Sequence, residues 1–121
     1  MTQSILASTK KVLGIDPSID VFDQDIVMHI NSVFNTLQQL GVGPVEGYQI
    51  ADETSEWPEF TSNNILMNSV KSYMYLRVRM LFDPPSTSFH LGAIKEQIQE
   101  FEWRMKVQLE GETWPPTIPT P

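Results

Sequence analysis

The chain contains no cysteine. That absence removes disulfide staples, thiol catalysis and cysteine-ligated metals from consideration, and it suits a reducing compartment. Bases are also scarce: eight Lys and Arg stand against fifteen Asp and Glu, for a net charge of −7. Phosphate binding needs clustered Lys and Arg, so this balance argues against affinity for nucleic acid or for an anionic membrane surface. No apolar run approaches the roughly 20 residues of a membrane span. The opening stretch MTQSILASTKKVLGID carries its lysines behind its apolar residues, the reverse of a secretory signal. Catalytic signatures are missing too, with neither a G-x-S-x-G elbow nor a G-x-x-x-x-G-K-[ST] phosphate loop, and no internal repeat is present.

What remains is a composition that folds. The 121 residues are 40% hydrophobic and 19% charged, which places the chain among single globular domains rather than disordered segments. Such a length holds one core with little surface to spare for an elaborate active site. The hydrophobic spacing predicts a mainly α fold, a compact bundle of about four helices spanning residues 1–111, with an extended arm over residues 112–121.

The first helix is expected over residues 3–13, on Ile5, Leu6, Thr9, Val12 and Leu13. Lys10 and Lys11 suit the negative end of its dipole, and Gly14 serves as its C-cap. After the Asp16-Pro17 turn, Asp23 is placed to cap a second helix, and Asp25 adds negative charge to its first turn. Ile26, Ile30, Val33, Leu37 and Leu40, widened by Val27 and Phe34, form a seam roughly 27 Å long. The run Gly41-Val42-Gly43-Pro44 ends it. A third helix starts near Ser62 or Asn63, with Leu66, Val70, Tyr73, Met74, Arg77, Met80 and Leu81 on one face and Val78 and Phe82 on others. Pro84 and Pro85 stop it, because proline lacks the N–H and clashes with the preceding turn. The hydroxyls of Ser86, Thr87 and Ser88 are N-caps for a fourth helix rather than nucleophiles. That helix, on Leu91, Ile94, Ile98, Phe101 and Met105, ends at Gly111. Glu100–Arg104 and Glu102–Lys106 have the spacing of helical ion pairs.

Between the second and third helices lies PVEGYQIADETSEWPEFT, with five acids (Glu46, Asp52, Glu53, Glu56 and Glu59) and no base. It is too long for an ordinary connection between helices. Tyr48-Gln49-Ile50 suggests a brief strand, within a short β-hairpin, or an extended loop. Tyr48, Ile50, Trp57 and Phe60 admit two readings, a satellite core over the loop or anchors at a subunit contact. Lys71, Arg77 and Arg79 likewise pair either within the subunit or across an interface. Asp23 and Asp25 read as cap and dipole chemistry, and His29 and His90 have no acid or nucleophile near them in sequence, so no catalytic or metal-binding site and no cofactor is expected. The tail TWPPTIPTP, with Trp114, Pro115, Pro116, Ile118 and Pro119, reads as an extended docking arm.

The order of these features resembles a known family. KKVLGID leads to FDQDIVMHINSVFNTLQQLGVGP, then to the acidic aromatic loop, VKSYMYLRVRMLFDPPSTSF and AIKEQIQEFEWRMKVQLEG. Over residues 9–110 this resembles the phage head–tail connector (adaptor) proteins of siphophages and Bacillus prophages. The stretches around Leu40–Pro44 and Leu81–Pro85 carry most of the likeness. The resemblance implies a non-enzymatic virion protein that is made in the host bacterial cytoplasm and acts at the head–tail interface. It implies a homo-oligomeric, dodecameric ring beneath the portal protein, which extends the DNA channel and docks the stopper or tail-completion protein. On that reading Trp114–Pro119 is a portal-docking arm, and Tyr48, Ile50, Trp57 and Phe60 form an inter-subunit loop. The charges of that loop, with Lys71, Arg77 and Arg79, serve channel or interface roles, and Asp83, Pro84 and Pro85 set a helix corner. The alternative reading, from composition alone, is a small acidic regulatory module that sequesters a basic protein partner.

Overall fold

The computed structural model describes residues 3–113. Its helices are α1 (Ile5–Val12), α2 (Asp23–Gln39), α3 (Trp57–Phe60), α4 (Asn64–Phe82) and α5 (Ser88–Thr113). The four helices expected from hydrophobic spacing are α1, α2, α4 and α5. A single helical turn, α3, is added inside the acidic loop, and among the described residues there is no strand, only one isolated bridge between Ser4 and Glu56. Tyr48-Gln49-Ile50 forms no strand. The fourth expected helix does not stop at Gly111, because α5 continues to Thr113.

Helix α4 is the middle layer. It packs on α2 through one face and on α5 through another, while α1 lies across both α2 and α4. An element covered on two sides must be apolar on two sides, and α4 accordingly buries Leu66, Val70, Tyr73, Met74 and Val78. Val78 belongs to this buried set and Leu81 is exposed, a correction to the broad face expected from spacing. The seam of α2 has Ile26, Ile30, Val33, Phe34 and Leu37 buried, with Val27 and Leu40 half-buried against the core. Among the described residues, helix α5 packs chiefly on α4 and buries Ile98 and Met105.

Turn chemistry fixes the helix ends. After Leu40, the C-cap of α2, Gly41 takes φ +84°, the amide of Val42 donates to Leu37 O (2.8 Å) and that of Gly41 to Gln38 O (3.0 Å). This is a Schellman ending, which favours a residue without Cβ. At the α4–α5 corner, Asp83 N donates to Arg79 O (2.8 Å), and Thr87 Oγ1 accepts from His90 N (3.2 Å) as the first turn of α5 begins. Asp83, Pro84 and Pro85 thus lie between two helices, with the hydroxyl cap following them.

Two polar clusters lock the layers. Tyr73 Oη donates to Glu102 Oε2 (2.6 Å), and the Arg77 guanidinium lies 3.6 Å from the same oxygen. Burial, then this hydrogen bond, raises the Tyr73 pKa. Glu102 therefore turns toward α4 rather than toward Lys106, whereas Glu100–Arg104 forms as spaced (2.8 Å). The second cluster centres on Lys10, whose side chain is only 6% exposed. Its Nζ donates to Ile19 O (2.6 Å) and sits 2.9 Å from Asp23 Oδ1. Asp23 is the first residue of α2, Phe22 occupies the N-cap position, and the carboxylate faces this ammonium rather than capping the helix. Its buried Oδ1 has no aligned hydrogen-bond donor, so the charge of Lys10 is what compensates it.

Lys10→Met should destabilise the fold by about 3 kcal/mol, since it strands the Asp23 carboxylate and the Ile19 carbonyl. The double variant Lys10→Met/Asp23→Leu should recover part of that loss; urea unfolding followed by circular dichroism measures both. Trp57→Ala should cost about 3–5 kcal/mol as a large buried deletion. Trp57→Phe should cost less, mostly the lost indole hydrogen bond at about 1 kcal/mol. Thermal melts of the two variants separate the contributions.

Candidate functional site

The acidic loop folds inward at its aromatics and outward at its carboxylates. Trp57 is 1% exposed, and its Nε1 donates to Ser8 Oγ (2.9 Å) on α1. Its backbone amide donates to Gln3 O (3.0 Å), and Ile5 N donates to Ser55 O (3.0 Å), so the chain start and the loop hold each other. Phe60 and Tyr48 close on the Phe34 ring of α2, at centroid distances of 4.8 and 5.1 Å. Ile50 is buried, and Asn31 clamps it by accepting from Ile50 N (2.8 Å) and donating to Ile50 O (3.0 Å). Trp57, Phe60 and Ile50 are thus part of the subunit core, with Tyr48 half-buried at its edge. The physical reason they do not stand out as anchors is that α1, α2 and α4 leave a gap that the indole fills.

With the aromatics inside, the acids line the surface. Glu46, Asp52, Glu53, Glu56 and Glu59 are all exposed. Three of them also fix the loop. Thr54 donates its amide (2.9 Å) and its hydroxyl to Asp52 Oδ1, and these bonds hold that carboxyl below its usual range. Glu59 and Glu56 form a capping box around α3, in which Glu59 Oε2 accepts from Glu56 N (3.1 Å). Tyr48 Oη donates to the other Glu59 oxygen (3.1 Å); burial of the phenol is the main cause of its raised pKa. The loop is therefore a shaped, anionic ledge rather than a free arm.

The bases expected beside it are partly occupied within the subunit. Lys71 Nζ lies over the Trp57 ring at 5.8 Å, and Arg77 stacks on Tyr73 at 5.6 Å while pairing with Glu102. Arg79 is exposed. The corner at Asp83–Pro85 sits at the other end of α2, where Phe82 meets Phe22 edge-on at 5.5 Å and His29 at 6.4 Å. Trp114, Pro115, Pro116, Ile118 and Pro119 lie outside the described residues.

A second surface runs along α5. Phe89, Trp103 and Val107 recur at 14 and 18 residues, which at 100° per residue puts them on one stripe, about 27 Å long, opposite the buried Ile98 and Met105. Phe89 is 81% exposed and Trp103 65%. Gly92 and Ala93 lie at the edges of the same stripe, and the exposed Glu96 and Glu100 lie between its aromatics. The sequence signal for this stripe exists in the same periodicity that gives the α5 seam, read half a turn round; attention to the seam alone passes over it. Asn31 gave no signal, since a polar residue on a helix shows nothing of a loop nineteen residues away.

Among the described residues no three His, Asp or Glu side chains converge as a metal site would require, and no helix is long and apolar enough to cross a membrane. No curated protein and no solved structure matches the chain. The sequence profile described as "Phage connector protein" matches residues 5–112, nearly the whole chain and every helix described above. The chain therefore belongs to the phage connector protein family.

Proposed function

We propose that this connector is a structural, non-catalytic subunit of the phage head–tail interface, and that it assembles as a homo-oligomeric ring, dodecameric in the virion, beneath the portal protein. The ring extends the DNA channel and offers its far side to the stopper or tail-completion protein, and the arm at Trp114–Pro119 reaches the portal. The observation that carries this reading beyond family membership is the outer stripe of α5. A long helix packed on one side, with a tryptophan and a phenylalanine on the other, presents the aromatic anchors that subunit contacts use. A regulator that captures a basic partner would need the acids but has no use for this stripe.

The acidic ledge fits the conduit role. Five exposed carboxylates and a net charge of −7 repel the phosphate backbone, so a duplex passes a wall of this kind without being held. Asp52, with its carboxyl held below the ordinary range, stays charged well under neutral pH. The inward folding of Trp57 and Phe60 supports the same arrangement, because it fixes the carboxylates on a rigid surface.

Trp103→Glu should leave folding stability within about 0.5 kcal/mol, as an exposed substitution. It should weaken each subunit contact by roughly 2–4 kcal/mol, the scale of an aromatic hot spot. Circular dichroism checks the first expectation. Mass photometry of the protein, alone and mixed with its portal, checks the second: large symmetric species for the native chain and small ones for the variant. A native chain that stays monomeric and ignores portal would favour the regulator.

A further inference from the structure

An open groove of about 500 Å³ lies at the end of the molecule opposite the α4–α5 corner. Pro44 from the end of the α2 turn, Pro58 and Phe60 from α3, Ser62 before α4 and Leu109 of α5 contribute to its walls. Gly43 keeps it open, with φ +90° and no room for a side chain, since a Cβ there would meet the Phe60 ring at 2.4 Å. Proline and aromatic walls of this kind accept extended, proline-rich segments, which bind with little ordering cost because their backbone is already extended.

We propose that this groove is the docking site of the chain's own C-terminal segment, residues 114–121, within the same subunit. Three observations favour this occupant. The chain is delivered to the groove: Leu109 forms part of its wall, and α5 ends one turn later at Thr113. The reach suffices, because eight residues at about 3.1 Å each span about 25 Å when extended. The chemistry matches as well. Trp114, Pro115, Pro116, Ile118 and Pro119 are apolar, and residues 114–121 carry no side-chain charge, so Glu59 at the rim neither attracts nor repels them. The docked segment covers apolar surface of the free subunit that a partner could later expose. This inference concerns the isolated chain and stands independently of the ring.

Because the protein has no cysteine, engineered pairs report on proximity without background. Thr61→Cys or Ser62→Cys, each combined with Thr117→Cys or Thr120→Cys in the full-length chain, place thiols on the groove and on the segment. Ser18→Cys with Thr117→Cys is the control, since Ser18 precedes the opposite end of α2. A disulfide requires the two Cα atoms to approach within about 7 Å. Under mild oxidation at low protein concentration, at least one groove pair should close within the chain about tenfold faster than the control, through the raised local concentration of a docked segment. Adding Trp114→Ala should return that rate toward the control. Groove pairs that all close no faster than the control, or that form only disulfides between chains, would overturn the proposal. An unchanged rate in the Trp114→Ala background would show that apolar docking of the segment does not drive the closure, and would overturn the proposal.

Discussion

The fold turns on the burial of one tryptophan. Three helices, α1, α2 and α4, leave a gap beside the start of the chain, and Trp57 fills it with its ring under Ser8 and its amide on Gln3. Because the indole carries a polar handle, it is positioned as well as buried. Everything distinctive about the long loop follows from that insertion. Phe60 is drawn onto Phe34, Tyr48 closes over both, and the carboxylates between them are left facing water. Without the tryptophan ring the loop would keep the Asn31 clamp on Ile50 and its own carboxylate turns but lose its deepest anchor, while its five acids, with no base within the segment, repel one another.

Much of this was legible in the sequence, and the parts that were not share a cause. The α2 seam reads directly from Ile26 to Leu37 because a helix covered on one side shows a clean period. The corner at Asp83–Pro85 was equally plain, since prolines and hydroxyls act through their own backbone. Helix α4 was less clear: covered on two faces, it buries Val78 and exposes Leu81, and no single stripe describes it. The contacts of Lys10, Asn31 and Glu102 were invisible because each depends on a partner brought close by the tertiary fold. Lys10 at a helix end satisfied a dipole argument so well that nothing suggested a buried ion pair. Of the two readings open for Tyr48, Ile50, Trp57 and Phe60, the packed one describes the subunit, because aromatic residues in a long loop bury themselves when the helices leave room.

The resulting molecule divides its labour by layer. Helix α4 and the Trp57 plug hold the core, and the Tyr73–Glu102–Arg77 cluster fastens α5 to it. Helix α5 then presents an aromatic stripe outward, and the loop presents charge. The proposed ring would need a subunit rigid within itself and adhesive toward its neighbours, and this arrangement separates those demands. Residues that hold the loop are inside, whereas those available to neighbours stand on surfaces that the core already fixes.

In the proposed ring the aromatic stripe of α5 is a subunit contact and the acidic loop faces the path of the DNA. A cryo-EM reconstruction of this chain bound to its portal tests it most directly. Phe89 and Trp103 should be covered by an adjacent copy, with Glu46, Asp52 and Glu53 turned to the lumen. A ring in which the outer face of α5 remains in solvent, or in which those carboxylates point to the outside, would contradict it.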